Sequence, residues 1–212
     1  MPDAIDTGFL GKFKKIIEKN IEKGRRFLII TGGGATTRRY QGAARMITPT
    51  SKDDLDWLGI HSTRLNGHLM RTLLRTHAYP VLVTNASKLK TTSKAVIIAA
   101  GNRPGNSTDF EAVRLAEKIG AKKLINLSNI DYVYTKDPRK FSNAKPIKDI
   151  TWKEFRKIIP KKWDPGLHSP FDPIASKKAQ ALGIEVAIIN GARLGEFEKH
   201  LAGKKFVGTI IK

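Results

Sequence analysis

The sequence predicts an α/β fold: a mostly parallel sheet covered by helices on both faces. Three observations carry this. Short apolar runs alternate with longer amphipathic stretches along all 212 residues, the pattern of βαβ units. The stretches between them carry helix starts and stops in the right places. Three polar, glycine-bearing loops, 32–37, 101–108 and 129–137, each follow an apolar run, and in open α/β sheets ligands sit at the carboxyl ends of strands.

The elements follow in order. Phe9, Leu10, Phe13, Ile16, Ile17 and Ile21 have helical spacing, with Asp6 or Thr7 as N-cap and Gly24 as stop. "RFLIIT" reads as a buried strand. The glycines 32–34 open a helix that runs through roughly Ala43. Ser51 and Asp54 make a capping box for a long helix, "DLDWLGIHSTRLNGHLMRTLLR". "YPVLVT" and "KAVIIAA" read as strands, "GNRPGNSTD" as a loop opening a helix near Thr108, and "KKLINLS" as the next strand. Thr151 and Glu154 form a second capping box. Asp172 and Pro173 read as N-cap and first helical residue, with Gly183 as the end of that helix. "IEVAIIN" and "FVGTII" close the chain. The first helix leads to a strand but has none before it, which a βαβ crossover would require.

Composition narrows the chemistry. The chain has no cysteine, which excludes disulfides, thiolate zinc sites and cysteine nucleophiles. No apolar run is long enough to span a membrane and no signal peptide is evident, so a cytoplasmic location is expected. Lys and Arg number 39 against 19 Asp and Glu, a formal charge of +20. Such a chain attracts anions, although the charge is spread along the whole length and solvated lysine faces account for much of it.

Three loops hold the candidate chemistry. In "IITGGGATTRRY" serial glycines let backbone amides approach a phosphate, and the helix that follows adds its positive end with Arg38 and Arg39 in its first turns. A tight strand-to-helix turn explains the glycines equally well. "AAGNRPGNSTD" is not a P-loop: only three residues separate Gly101 and Gly105, and Asn106 stands where lysine would be. It is rich in donors suited to a nucleobase or ribose; the alternative is a surface loop with an N-cap at Ser107 or Thr108. "NLSNIDYVYTKDP" places Asn129, Asp131, Tyr134 and Asp137 after a strand, though Asp-Pro is also ordinary turn chemistry. His61, His68, His77, His168 and His200 show no metal-ligand spacing, and Trp57, Trp152 and Trp163 read as packing residues.

Taken in order, "TGGGATTRRY", "DLDWLGIHSTRLNGHLM", "GNRPGNSTD", "SNIDYVYTKDP", "PFDPIASKKA" and "GTIIK" resemble the archaeal-type uridylate kinases of the amino-acid kinase superfamily, over essentially the whole chain. The resemblance implies one amino-acid kinase-like domain over 1–212, an αβα sandwich with an acceptor (UMP) lobe to about residue 120 and an ATP lobe over 121–212. It implies transfer of the ATP γ-phosphate to UMP with Mg2+, in an oligomer, often a hexamer, with no membrane partner and no specific nucleic acid. By motif, Gly33 meets the UMP phosphate, and Gly34 and Arg38 the ATP phosphates. Asp56 accepts from the acceptor sugar. Asn102, Arg103, Pro104, Gly105, Asn106, Ser107 and Thr108 wrap the UMP. Ser128, Asn129, Tyr134 and Asp137 line the ATP side. Arg38 and Asp172 are the expected catalytic residues, Asp172 as a carboxylate that orients lysine or Mg2+; no protein metal ligand set is assigned.

Three departures from that family stand out. It begins with a strand and a Gly-Gly-Ser loop, the other half of the phosphate site, which the sequence from Met1 lacks; two explanations compete, a protein that continues upstream, favoured because the later motifs are intact, and a shortened homologue with weak or no kinase activity. Ala35 stands where the family usually has lysine, and Tyr132 where it usually has glycine. The alternative function is a non-catalytic nucleotide- or nucleic-acid-binding homologue that uses the basic surface.

Overall fold

The computed structural model describes residues 5–162 and 169–212; Trp163 and His168 lie outside them. The chain divides into two compact units, Met1–Leu115 and Ala116–Lys212.

In the first unit, α1 (Thr7–Ile21) is capped by Asp6, whose carboxylate accepts from the Phe9 amide at 2.8 Å. Its apolar stripe buries Leu10, Phe13 and Ile17. β1 (Phe27–Ile30) runs into the glycine turn and α2 (Gly34–Ile47). That helix runs past Ala43, where the sequence suggested its end, and stops before Pro49. α3 (Lys52–Leu73) starts at a complete capping box in which Ser51 and Asp54 bond reciprocally. Its buried positions, Leu55, Ile60, Ser62, Thr63, Asn66, Gly67 and Met70, fall at helical spacing on one face.

β2 (Val96–Ala99) is fully buried and pairs in parallel with β1, Phe27 opposite Val96 through Ile30 opposite Ala99. "YPVLVT" is not a strand: only Ala78 and Val83 bridge in parallel to Val96 and Ala99. Pro80 has no amide to give, so the segment bonds to β2 at Tyr79, pulls away, and returns at Val83. Val83, Ala86, Ile97, Ala99 and Leu115 form the core beneath it. α4 (Thr108–Ile119) leaves the first unit and enters the second.

In the second unit, β3 (Lys123–Ser128) is followed by β4 (Val133–Tyr134), β5 (Pro146–Ile147) and β6 (Asp149–Ile150). α5 (Trp152–Ile158) starts at the predicted Thr151–Glu154 box. α6 (Pro173–Leu182) has Asp172 as N-cap and Gly183 as a left-handed C-cap at φ 59°. β7 (Glu185–Asn190), α7 (Leu194–Leu201) and β8 (Thr209–Ile211) complete it.

The main sheet of this unit has the order β3-β7-β8-β6, parallel except at β7–β8. β4 and β5 form a separate antiparallel pair. Val186 to Ile189 of β7 are buried, as its continuous apolar run requires. Trp152 packs on Phe155 and Phe171 with ring centroids 5.9 Å apart in each case. The fold is thus mixed α/β with parallel-dominated sheets, as the alternation in the sequence predicts.

Candidate active site

The glycine turn of the first unit joins β1 to α2. Gly34 has φ 60°, which a side chain resists and glycine permits. A Cβ on Gly33 would collide with the Thr37 side chain and lie 3.3 Å from Cβ of Ser62. The turn is held from below by α3: Asn66, buried in that helix, donates from Nδ2 to the carbonyl of Gly32 at 2.8 Å and to that of Gly33 at 3.4 Å. Arg38 is exposed in the second turn of α2. Ala35, where the charge of the family's lysine is absent, is buried.

The 101–108 loop is held by the same helix. Thr63 Oγ1 accepts from the Gly101 amide at 2.8 Å, and Arg64 donates to the carbonyls of Gly101 at 3.3 Å and Asn102 at 2.9 Å. Asp56 Oδ2 accepts from the Gly105 amide at 2.8 Å. Gly105 itself has φ 83°. Farther along, Asn106 donates to Glu111 at 3.2 Å, a carboxylate only 2% exposed that also takes bonds from Arg114. Ser107 Oγ accepts from the Phe110 amide, so Ser107 caps α4. Asp56 therefore meets Gly105, while Asn102 is held by Arg64 of the same helix. Arg103 is exposed and Pro104 lies between these contacts. Thr63, Arg64 and Asn66 were not singled out in the sequence. Their signal was present: polar residues on the apolar face of a long helix need partners.

In the second unit, β3 ends at Ser128, opposite Asn190 at the end of β7. Asn129 is exposed. Asp131 fixes the loop that follows by accepting from Asn190 Nδ2 at 2.7 Å and from Arg193 Nη2 at 2.9 Å. The Val133 amide donates to Thr209 Oγ1 at 2.8 Å, which ties the loop to β8. Tyr132 and Tyr134 meet edge to face, centroids 6.4 Å apart. Asp137 accepts from both the amide and the guanidinium of Arg139; this side-chain bond, then the backbone one, holds the carboxyl below the usual carboxylate range. Asp172 is buried, its Oδ1 accepting from the Ala175 amide at 2.6 Å. Asp131, Asn190 and Arg193 are the contacts that sequence reading did not assemble. Two of them lie some sixty residues from the loop that they hold.

In the first unit a glycine turn opens a helix and a carboxylate closes a polar loop; in the second a loop of polar residues follows a strand end. Each is a kind of place where α/β folds hold small anions. Comparison with known proteins agrees. Residues 3–190 match the amino acid kinase family. A uridylate kinase of Staphylothermus marinus is 36% identical, over 93% of this chain and 90% of its own length. One from Hyperthermus butylicus is 30% identical, over 96% and 90%. The crystal structure of a uridylate kinase from Archaeoglobus fulgidus superposes with a TM-score of 0.84 at 27% identity, covering 99% of this chain and 94% of that one. The chain belongs to the amino acid kinase family. Its relatives within that family are uridylate kinases.

Proposed function

We propose that this chain is a UMP kinase: it transfers the γ-phosphoryl group of ATP to a phosphate oxygen of UMP. The new P–O bond forms as the bond to the β–γ bridging oxygen breaks, and the electron pair leaves with ADP. The observation that carries this is the helix α3, which holds the glycine turn through Asn66 and closes the 101–105 loop through Asp56. One element thus serves a phosphate-sized turn and a sugar-accepting carboxylate.

In this assignment Gly33 takes the UMP phosphate, Asp56 accepts from the sugar hydroxyls, and residues 102–108 wrap the nucleoside. Gly34 and Arg38 neutralise the ATP phosphates, while Ser128, Asn129, Tyr134 and Asp137 receive the rest of ATP. Catalysis is positioning plus electrostatic stabilisation, with no covalent intermediate.

The residues present suit a magnesium ion carried by ATP. Such ions use few protein carboxylates and several phosphate oxygens. Among the described residues no three acidic or histidine groups cluster to cage a cation, and Asp172 supplies a single carboxylate. When bound, the ion would neutralise charge on the transferring phosphates. Asp172 would hold or orient it.

We further assign the chain to a homo-oligomer in the cytoplasm, a hexamer by family resemblance. α2 buries only Ala35 and exposes Tyr40, Met46 and Ile47, the last two at 88% and 85%, an apolar face suited to a second copy. No helix among the described residues is long and apolar enough to cross a membrane. The alternative, a non-catalytic nucleotide- or nucleic-acid-binding homologue using the +20 charge, is not favoured by the uridylate kinase relatives.

A coupled assay tests the reading. ADP release is expected to depend on UMP and on Mg2+; no UMP-dependent ADP formation would overturn the assignment.

A further inference from the structure

α3 carries three buried polar side chains in its interior, Ser62, Thr63 and Asn66, each no more than 8% exposed. Such residues are poor helix formers, and burying them is costly unless they are bonded. Ser62 is satisfied within its own helix by the Leu58 carbonyl at 2.8 Å. Thr63 donates within the helix to Ile60 O, but its oxygen also accepts from Gly101. Asn66 makes no such local bond among those seen: both of its contacts go to the glycine turn. Thr63 and Asn66 are one helical turn apart and so neighbours on one face. The glycine turn and the start of the 101–108 loop are therefore each fixed to the same short length of α3.

What Asn66 does to the turn follows from peptide geometry. A trans peptide points its C=O and the next residue's N–H in opposite directions. Drawing the Gly32 carbonyl toward Asn66 turns the Gly33 amide away from α3. The Gly33 carbonyl also accepts from the Thr37 amide at 3.3 Å, the first bond of α2; together that bond and Asn66 turn the Gly34 amide outward too. We infer that Asn66 is a positioning residue that aims the Gly33 and Gly34 amides at phosphate, while Thr63 performs a separate task, anchoring the nucleoside loop. Neither side chain touches substrate. The inference rests on the UMP kinase reading above.

The amide of Asn66 is the needed group because it donates to two carbonyls at once. Aspartate in its place keeps shape and volume but presents acceptors to acceptors. Serine keeps a donor on a shorter arm.

The test compares UMP with uridine, which lacks the phosphate. Affinities of both for the wild-type chain, Asn66→Asp, Asn66→Ser and Thr63→Val are measured by isothermal titration, with circular dichroism on each variant. The ratio of UMP to uridine affinity reports the phosphate contact alone. Asn66→Asp is expected to shrink that ratio about tenfold, one charge-assisted bond's worth, while uridine affinity holds. Asn66→Ser is expected to shrink it less. Thr63→Val is expected to weaken both ligands equally and leave the ratio intact. A merely structural Asn66 would move both ligands together, and that result, or an unchanged ratio in both Asn66 variants, overturns the inference. A wild-type chain that binds neither ligand overturns the function instead, which separates the two failures.

Discussion

The loops of the two units are secured in different ways. In the first unit one helix reaches both: α3 bonds to residues 32–33 through Asn66 and to residues 101–105 through Thr63, Arg64 and Asp56. In the second, the 129–137 loop is held by scattered partners. Asp131 bonds to Asn190 and Arg193, Val133 to Thr209, and the Asp137 carboxylate to Arg139, two residues away. A loop braced by buried side chains of a rigid element keeps one geometry, as discrimination between small anions demands. A loop held piecemeal by a partly exposed ion pair, turn chemistry and one buried threonine tolerates more. If the proposed assignment holds, the contrast makes the acceptor end the stricter one.

Asp56 is the sharpest place to break the first arrangement. Asp56→Ala removes a carboxylate that closes the loop at Gly105 and is assigned to the sugar. A bond to a charged group is worth about 1.5–3 kcal/mol, so UMP affinity should fall roughly 10- to 100-fold while ATP affinity stays. Asp56→Asn, which keeps an oxygen acceptor, should lose less. Equal losses for both nucleotides in titration would mean that the loop is not acceptor-specific.

Gly101 tests the brace by crowding it. It is buried, and a Cβ there would lie 2.9 Å from Thr63 Oγ1 and 3.4 Å from the Ile60 backbone. Gly101→Val should cost about 1–3 kcal/mol of stability, the usual range for overpacking, read from denaturant unfolding. It should also raise the UMP dissociation constant. A stability unchanged within error would show that the loop slides freely over α3.

Much of this frame was legible in advance, and the exceptions have physical causes. Capping signals were local and therefore readable: Asp6, the Ser51–Asp54 and Thr151–Glu154 boxes, Asp172 and Gly183 all stand where the sequence put them. The segment 79–84 misled because apolar β-formers outvoted one proline, yet a ladder needs the amide that Pro80 lacks. Only the last turn of α2, from Ala43 to Ile47, was underestimated. Most of the site residues named by motif were loop residues. Those that hold the loops, Thr63, Arg64, Asn66, Asn190 and Arg193, lie far off in sequence, and only the fold brings them within bonding distance.

The second unit should yield to smaller insults, with smaller consequences. Asp131 has a side chain 28% exposed, and Arg193 is 55% exposed. Such a pair contributes on the order of 1 kcal/mol or less. Asp131→Ala should raise the KM for ATP a few-fold and leave that for UMP unchanged, in contrast to Asp56→Ala. An effect on UMP alone would reverse the assignment of the two ends.

Acid sharpens the comparison most gently. Among the described carboxylates, one in the first unit is held below its usual range: Asp54, through the Ser51 side chain and amide. Three are so held in the second: Asp137 by Arg139, Glu154 by Thr151, and Glu196 by Lys199 and the Val207 amide. A carboxylate whose pKa is lower folded than unfolded stabilises the fold above its unfolded value, and that stability fades as pH falls through the folded value. Asp54 and Glu154 are exposed and Asp137 and Glu196 partly so, and each effect is small and screened by salt. Their placement still predicts an order. As pH drops below about 4.5, the ordinary carboxylate range, amide exchange should rise first at the start of α5, around Asp137, and where Glu196 of α7 meets Val207. The segments 32–34 and 101–102 should stay protected to lower pH, because the bonds that Asn66, Thr63 and Arg64 make to backbone do not titrate in that range. Hydrogen exchange followed by mass spectrometry from pH 6 to 3 reads this directly. Loosening of the α3-braced loops before those of the second unit would mean that the helix holds them less firmly than its bonds indicate.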